Sequence, residues 1–84
     1  MDIREVFARN LRRYRRAARL SQEELAHRSD IDRTYISSLE RSVYAASIDV
    51  VDRLATALEI QAADLLVRSP SARARKAPVL DGER

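Results

Sequence analysis

The stretch LSQEELAHRSDIDRTYISSLER, residues 20 to 41, contains two helix start signals in succession. In the first, Ser21 is followed three residues later by Glu24, which is the capping-box pattern: each side chain bonds the backbone N–H of the other residue. Leu20 precedes this cap and Leu25 follows it by four residues, the spacing of a hydrophobic staple that fixes how the chain enters the helix. A helix is therefore predicted to begin at Ser21 and to stop near Arg28.

The second start signal is weaker and lies only a short turn further along. Asp32 is placed to act as N-cap, Ile31 and Ile36 have the staple spacing, and a helix is predicted over residues 33 to 41. Residues 29 to 31 alone separate the two helices. Two helices joined by so short a turn cannot lie antiparallel and must cross steeply, so the pair is predicted to form a helix-turn-helix.

Three further helices are predicted around this pair. The first covers residues 4 to 19, where an apolar stripe recurs every three or four positions. The fourth is capped by Ser47, and a short fifth covers residues 62 to 67. The fold class is thus all-α: a compact five-helix domain over residues 1 to 67, followed by a basic, linker-like tail over residues 68 to 84. The residues expected inside are Phe7, Leu11, Tyr14, Ala18, Ile48, Val51, Leu54, Ala55 and Leu58.

Composition excludes several classes of function. A chain of 84 residues is too small to enclose a catalytic cleft beside its own core, so no enzymatic activity is expected. It has no cysteine and one histidine, which argues against a metal site, and nothing in it points to a cofactor or a small-molecule ligand. No apolar run approaches the roughly 20 residues that span a bilayer, and the N-terminus lacks a signal-peptide pattern, so a cytoplasmic location without membrane contact is expected.

Positive charge is clustered at the two ends of the chain. The tail carries five basic and two acidic residues and so holds the whole formal excess of +3, whereas residues 1 to 20 carry seven arginines against two acidic residues. Clustered arginine on a neutral domain suits a surface that faces phosphates, because neutralising them releases counterions. The plainer interpretation is a solvated helix face and a solvated tail.

The chain resembles the Cro and phage-repressor type of helix-turn-helix domain, on three segments: LSQEELA at 20 to 26, IDRTYISSLER at 31 to 41, and LATAL at 54 to 58. The resemblance covers residues 7 to 67 and implies sequence-specific binding to double-stranded DNA. Within that family, residues 32 to 37 are similar to the controller proteins of restriction-modification systems, which are small dimeric regulators. Asp30 and Glu59 stand where the family often has glycine, and the link over residues 42 to 46 lacks the usual Gly and Pro.

Helix geometry selects the side chains that face DNA. With Ile36 and Leu39 directed inward, about 100° per residue turns Thr34, Ser38 and Arg41 outward. The N-terminal part of a recognition helix meets base edges in the major groove, where Arg pairs with guanine and a Thr methyl packs on thymine. The predicted readers are Arg33, Thr34, Tyr35, Ser37 and Ser38.

The resemblance adds contacts beyond these readers. It implies a phosphate contact for Gln22 and contacts with the DNA backbone or bases for Arg41 and Ser42. Tyr44 is a further candidate for DNA contact. The resemblance also implies a partly buried ion pair between Arg15 and Glu40, a structural role. The alternatives are that Tyr35 packs on neighbouring helices and that Ser37 and Ser38 are plain surface. His27 receives no role.

Dimerisation is expected on energetic grounds, because one reading helix discriminates too little between an operator and a genome of competing sites. The expected homodimer interface consists of Ile60, Leu65, Leu66 and Val67, and the expected operator is palindromic. An antitoxin or another protein-binding module that uses the same fold, with the tail as the partner-binding element, is the alternative. No catalytic set of residues can be assembled for an enzyme.

Overall fold

The computed structural model describes residues 2 to 68, and helices account for most of them. Four α-helices are followed by one 3-10 helix: α1 (Ile3–Ala17), α2 (Gln22–Ser29), α3 (Arg33–Glu40), α4 (Ile48–Leu58) and the 3-10 helix (Ala62–Leu66). This part of the chain contains no strand, so the all-α class is confirmed. A short fifth helix was predicted over residues 62 to 67, and the chain there forms a 3-10 helix of five residues, so the described part consists of four α-helices and one 3-10 helix. The tail was predicted over residues 68 to 84, and from residue 69 onward it lies outside the described residues.

The helices begin where the capping signals place them. Ser21 Oγ accepts the backbone N–H of Glu24 at 2.9 Å, and Glu24 Oε1 accepts that of Ser21 at 2.8 Å, which completes the capping box. Ser47 Oγ accepts the N–H of Val50 at 3.1 Å at the start of α4. Asp32 caps α3 through a longer bond of 3.4 Å, as its weaker signal indicated.

A single core lies between α1, the α2–α3 pair and α4. The 3-10 helix covers the side of this core where α1 and α4 lie. Both predicted staples are buried in the core, and so is most of the apolar stripe of each helix. Three expected core residues are not fully buried: Tyr14 is half-buried against the core, Ala18 is exposed in the turn after α1, and Ile48, at the first position of α4, is 87% exposed. The fully buried large side chains are Val6, Leu11, Leu25, Ile36, Leu39, Leu54 and Leu65.

The burial of Leu65 corrects the predicted dimer interface. Its side chain is 0% exposed in the single chain, because the 3-10 helix folds back onto α1 and places Leu65 in the core. The buried Asn10 of α1 fixes this arrangement, since its Nδ2 donates to the carbonyls of Leu65 at 2.9 Å and Val67 at 2.8 Å. Leu65 therefore stabilises the monomer and is not available to a partner.

Candidate nucleic-acid interface

The turn between α2 and α3 directs α3 across α2. The turn starts at Asp30, which adopts the left-handed conformation at φ 58° and ψ 43° as the C-cap of α2. The backbone N–H of Ile31 then bonds the carbonyl of Ala26 at 3.1 Å, and Ile31 enters the core. The chain therefore reverses within three residues, and α3 starts at Arg33 in a new direction.

The N-terminal end of α3 projects two side chains into solvent. Ile36 and Leu39 are both 0% exposed and fix the helix to the core, while Arg33 and Thr34 are exposed. Tyr35 and Ser37 are half-buried on the flanks of this exposed edge. Four of the five predicted readers are thus at least partly accessible at one end of one helix.

Ser38 is the exception, and the outward orientation predicted for it is wrong. Only 6% of it is exposed in the folded chain. The segment after α3 turns back on the last helical turn, where the backbone N–H groups of Arg41 and Val43 both bond the Ser38 carbonyl, at 3.2 and 2.9 Å.

The residues that follow α3 extend the exposed edge. Arg41 is exposed, and its Nε donates to the carbonyl of Ser37 at 3.4 Å. Ser42 is half-buried with φ 63°. Tyr44 is 55% exposed, and its ring centroid lies 6.1 Å from that of Tyr35. Tyr35 also packs against the core, which supports the packing interpretation, while part of its side chain stays at the surface.

Gln22 lies at the first position of α2 and is bound to the end of α3. Its Nε2 donates to Glu40 Oε1 at 3.0 Å. Arg15 of α1 binds the same carboxylate with two donors, Nε to Oε2 at 2.6 Å and Nη2 to Oε1 at 3.0 Å. The geometry is that of the ion pair the resemblance implied, and the hydrogen bonding of Arg15 to the Glu40 carboxylate raises the pKa of Arg15 above its ordinary value.

Sequence reasoning missed a second arginine at this site. Arg12 donates through a guanidinium nitrogen to the backbone carbonyl of Glu40, at the end of α3, where helix carbonyls lack intrahelical partners. Arg12 and Arg15 are three residues apart and therefore share one face of α1, which was the available signal. Both arginines thus connect α1 to the C-terminal end of α3.

The electrostatics of the exposed edge favour an anion. Between residues 33 and 47 the acidic side chain is Glu40, which is 3% exposed and neutralised by Arg15. Arg33 and Arg41 are exposed at either end of α3. Residues 2 to 68 contain no group of three or more metal-ligating side chains and no helix long and apolar enough to cross a membrane.

Comparison with known proteins identifies the family. A family model described as helix-turn-helix matches residues 11 to 65. The chain is 44% identical over 68 residues to the control protein C.SmaI of Serratia marcescens, with 81% of each chain covered. It is 39% identical over 66 residues to the control protein C.BamHI of Bacillus amyloliquefaciens, covering 77% of this chain and 82% of the relative.

Two solved structures of helix-turn-helix proteins also match this chain in both fold and sequence. The hypothetical transcription factor NHTF from Neisseria superimposes with a TM-score of 0.81 at 38% identity, covering 88% of this chain and 84% of that one. The restriction-modification controller protein C.AhdI from Aeromonas hydrophila does so with a TM-score of 0.72 at 40% identity, covering 74% of this chain and 94% of that one. The chain therefore belongs to the XRE-like helix-turn-helix family of DNA-binding transcription regulators and is a homologue of restriction-modification control proteins.

Proposed function

We propose that this regulator binds a palindromic operator as a homodimer, with α3 of each protomer in the major groove. The observation that carries the proposal is the division of α3 into a buried anchor, Ile36 and Leu39, and an exposed N-terminal edge with Arg33 and Thr34. A helix fixed in this way presents its first turn to base edges at constant geometry. Arg33 can donate two hydrogen bonds to a guanine, and the methyl group of Thr34 can pack on the methyl group of a thymine.

The other accessible residues have supporting roles in this proposal. Gln22, at the start of α2, contacts a phosphate, and Arg41, Ser42 and Tyr44 contact the backbone or bases beyond the reading turn. Tyr35 and Ser37 contribute at the flanks. Ser38 has no reading role because its side chain is covered.

The proposed dimer interface uses what remains accessible around the 3-10 helix. Leu66 is 42% exposed, and Ile60 and Val67 are half-buried. A second protomer would cover this apolar surface and bring a second reading helix to the operator, which multiplies discrimination. The half-sites are then about one helical turn apart.

The relatives indicate where such a regulator acts. C.SmaI and C.BamHI are control proteins, and C.AhdI is a restriction-modification controller. We infer that this chain acts on DNA in a bacterial cytoplasm as a controller of the same kind. A methyltransferase gene and a nuclease gene beside its own would support this inference, and a toxin gene there would favour the antitoxin alternative.

In vitro selection of bound DNA by the full chain tests the proposal directly. The expected result is an enriched palindrome, and equal affinity for shuffled DNA at moderate salt would contradict sequence-specific binding. Arg33→Ala is expected to relax preference at one base position by about 1–3 kcal/mol. Gln22→Ala is expected to weaken all sequences alike, because phosphates carry no sequence information.

Arg28→Ala is the matched control for Arg33→Ala. Arg28 is also exposed but lies at the opposite end of α2 from Gln22. Its substitution removes the same charge and is expected to leave base preference unchanged. A loss of preference equal to that of Arg33→Ala would mean that net charge, and not the reading edge, sets selectivity.

A further inference from the structure

Glu40 is a buried carboxylate that connects three helices. It belongs to α3, and its carboxylate accepts two hydrogen bonds from Arg15 of α1 and one from Gln22 of α2. Its backbone carbonyl accepts a further bond from Arg12. A buried ion pair offsets its desolvation cost only when further hydrogen bonds satisfy its remaining lone pairs, and the Gln22 amide supplies one of these bonds. The same bond holds the Gln22 side chain at the first position of α2, where the proposed phosphate contact lies.

We propose that Glu40 is a positioning residue that orients the Gln22 amide for contact with a DNA phosphate. The proposal rests on the proposed function, in which Gln22 makes that contact. A glutamine amide has a donor end and an acceptor end of nearly equal shape, whereas a carboxylate only accepts. Glu40 therefore selects the orientation with the Gln22 nitrogen toward it, and the second N–H of that nitrogen remains for a phosphate oxygen.

Arg15 makes this orientation compatible with an anionic ligand. An unpaired carboxylate 3.0 Å from the Gln22 nitrogen would repel an approaching phosphate. The Arg15 and Glu40 side chains are 12% and 3% exposed, so water screens them little, and the two Arg15 bonds neutralise the carboxylate. Arg15 Nη1 also donates to the Leu20 carbonyl at 2.8 Å, which fixes the pair to the segment just before α2.

The expected benefit is preorganisation. A free glutamine loses rotamer freedom when it binds, whereas Gln22 is already held by Glu40 before DNA arrives. Loss of that restraint is expected to weaken DNA binding roughly three- to tenfold. The loss should be equal for operator and shuffled DNA, because the contact is with the backbone.

A double-mutant cycle tests the proposal with the full chain. The variant Arg15→Met/Glu40→Leu replaces the ion pair by apolar side chains of similar volume and so leaves no stranded charge. It is combined with Gln22→Ala, and affinities for an operator and a shuffled duplex are measured for all four proteins. The variant is expected to weaken binding in the wild-type background and to have no further effect once Gln22 is absent.

A second measurement needs no DNA. In the nuclear magnetic resonance spectrum of the free protein, the Gln22 side-chain N–H₂ signals are expected to be displaced and protected from exchange. In Arg15→Met/Glu40→Leu they are expected to move to the positions of a solvent-exposed glutamine. The variant Arg15→Met/Glu40→Gln also leaves no stranded charge but keeps an amide at position 40 that can pair with Gln22 in either orientation, so it provides a second variant should the first impair folding.

The outcomes separate this proposal from the proposed function. An equal loss of affinity in the Gln22→Ala background would show that the pair only supports the fold, and would overturn the positioning role. Unchanged affinity of Gln22→Ala itself, with Arg33→Ala still impaired, would also overturn it while leaving operator binding intact. Failure of the wild-type chain to prefer any sequence would overturn the proposed function first.

Discussion

At the scale of single residues, four positions hold a backbone conformation that glycine usually supplies. Arg19, Asp30, Ser42 and Glu59 have φ between 58° and 63°, and each lies just after a helix. The left-handed conformation costs about 1–2 kcal/mol for a residue with a Cβ, and less for Asp. The single glycine of the chain is at none of these sites. Asp30 and Glu59 are the positions at which the family often has glycine, and both hold the left-handed conformation.

Replacing Glu59 by glycine is expected to stabilise the protein. Glu59 is the exposed C-cap of α4 at φ 61° and ψ 41°, so glycine removes the steric cost without removing a core contact. The expected gain in the free energy of unfolding is about 1 kcal/mol, measured by denaturant titration. Glu59→Ala is the matched control, because it deletes the carboxylate and keeps the Cβ. A gain from alanine as large as that from glycine would rule out backbone strain as the cause.

At the scale of elements, the sequence predicted where helices begin better than it predicted the type of a helix that depends on tertiary packing. The Ser21 and Glu24 pair, Asp32 and Ser47 all cap the helices that the sequence assigned to them. Capping depends on atoms within three residues of each other, so the sequence contains the whole interaction. The last element packs against α1, and there the sequence predicted a short helix but not the 3-10 geometry that the chain adopts.

The capping box of α2 is expected to make stability depend on pH. The backbone hydrogen bond from Ser21, followed by its side-chain bond, lowers the pKa of Glu24. A carboxylate with a lowered folded pKa stabilises the protein above its unfolded pKa, about 4.3, and loses that contribution as the pH falls through the folded value. Wild type is therefore expected to exceed Glu24→Gln in stability near neutral pH, and the difference should shrink as the pH falls below the unfolded pKa and through the lowered folded pKa.

Glu23→Gln is the control for this pH dependence. It removes the same charge one position earlier on α2, where no capping bond to Ser21 exists. The two variants and wild type are compared by thermal unfolding across the acidic range. Equal pH profiles for both variants would indicate general charge effects in place of the capping box.

At the scale of the whole molecule, α1 joins the two ends of the domain. Arg12 and Arg15 bind the C-terminal end of α3, and Asn10 binds the end of the 3-10 helix through two carbonyls. These contacts link residues that are 25 to 57 positions apart in the chain. The orientation of the reading helix and the placement of the proposed dimer surface therefore both depend on α1.

The hydrogen bonds of Asn10 are expected to contribute more to stability than the hydrogen bond of the adjacent Arg9. Asn10→Ala leaves the Leu65 and Val67 carbonyls without their buried donor and is expected to cost about 2–3 kcal/mol. Arg9 donates to the Arg68 carbonyl of the same segment at 2.8 Å, but in an exposed position, so Arg9→Ala should cost less than about 1 kcal/mol. Both losses in the free energy of unfolding are to be measured by denaturant titration. Similar losses for the two variants would contradict the role of burial.

The sequence by itself determined the all-α class, the two capped helices of the helix-turn-helix and the exposed edge at Arg33 and Thr34. Each of these depends on helical periodicity and on bonds between near neighbours, which a linear pattern contains in full. Only the tertiary structure decided that Ser38 is covered, that Leu65 belongs to the core and that Gln22 is held by Glu40. Those outcomes depend on which surfaces meet after the chain has folded, and residues that are neighbours in space but distant in sequence leave no local pattern to read.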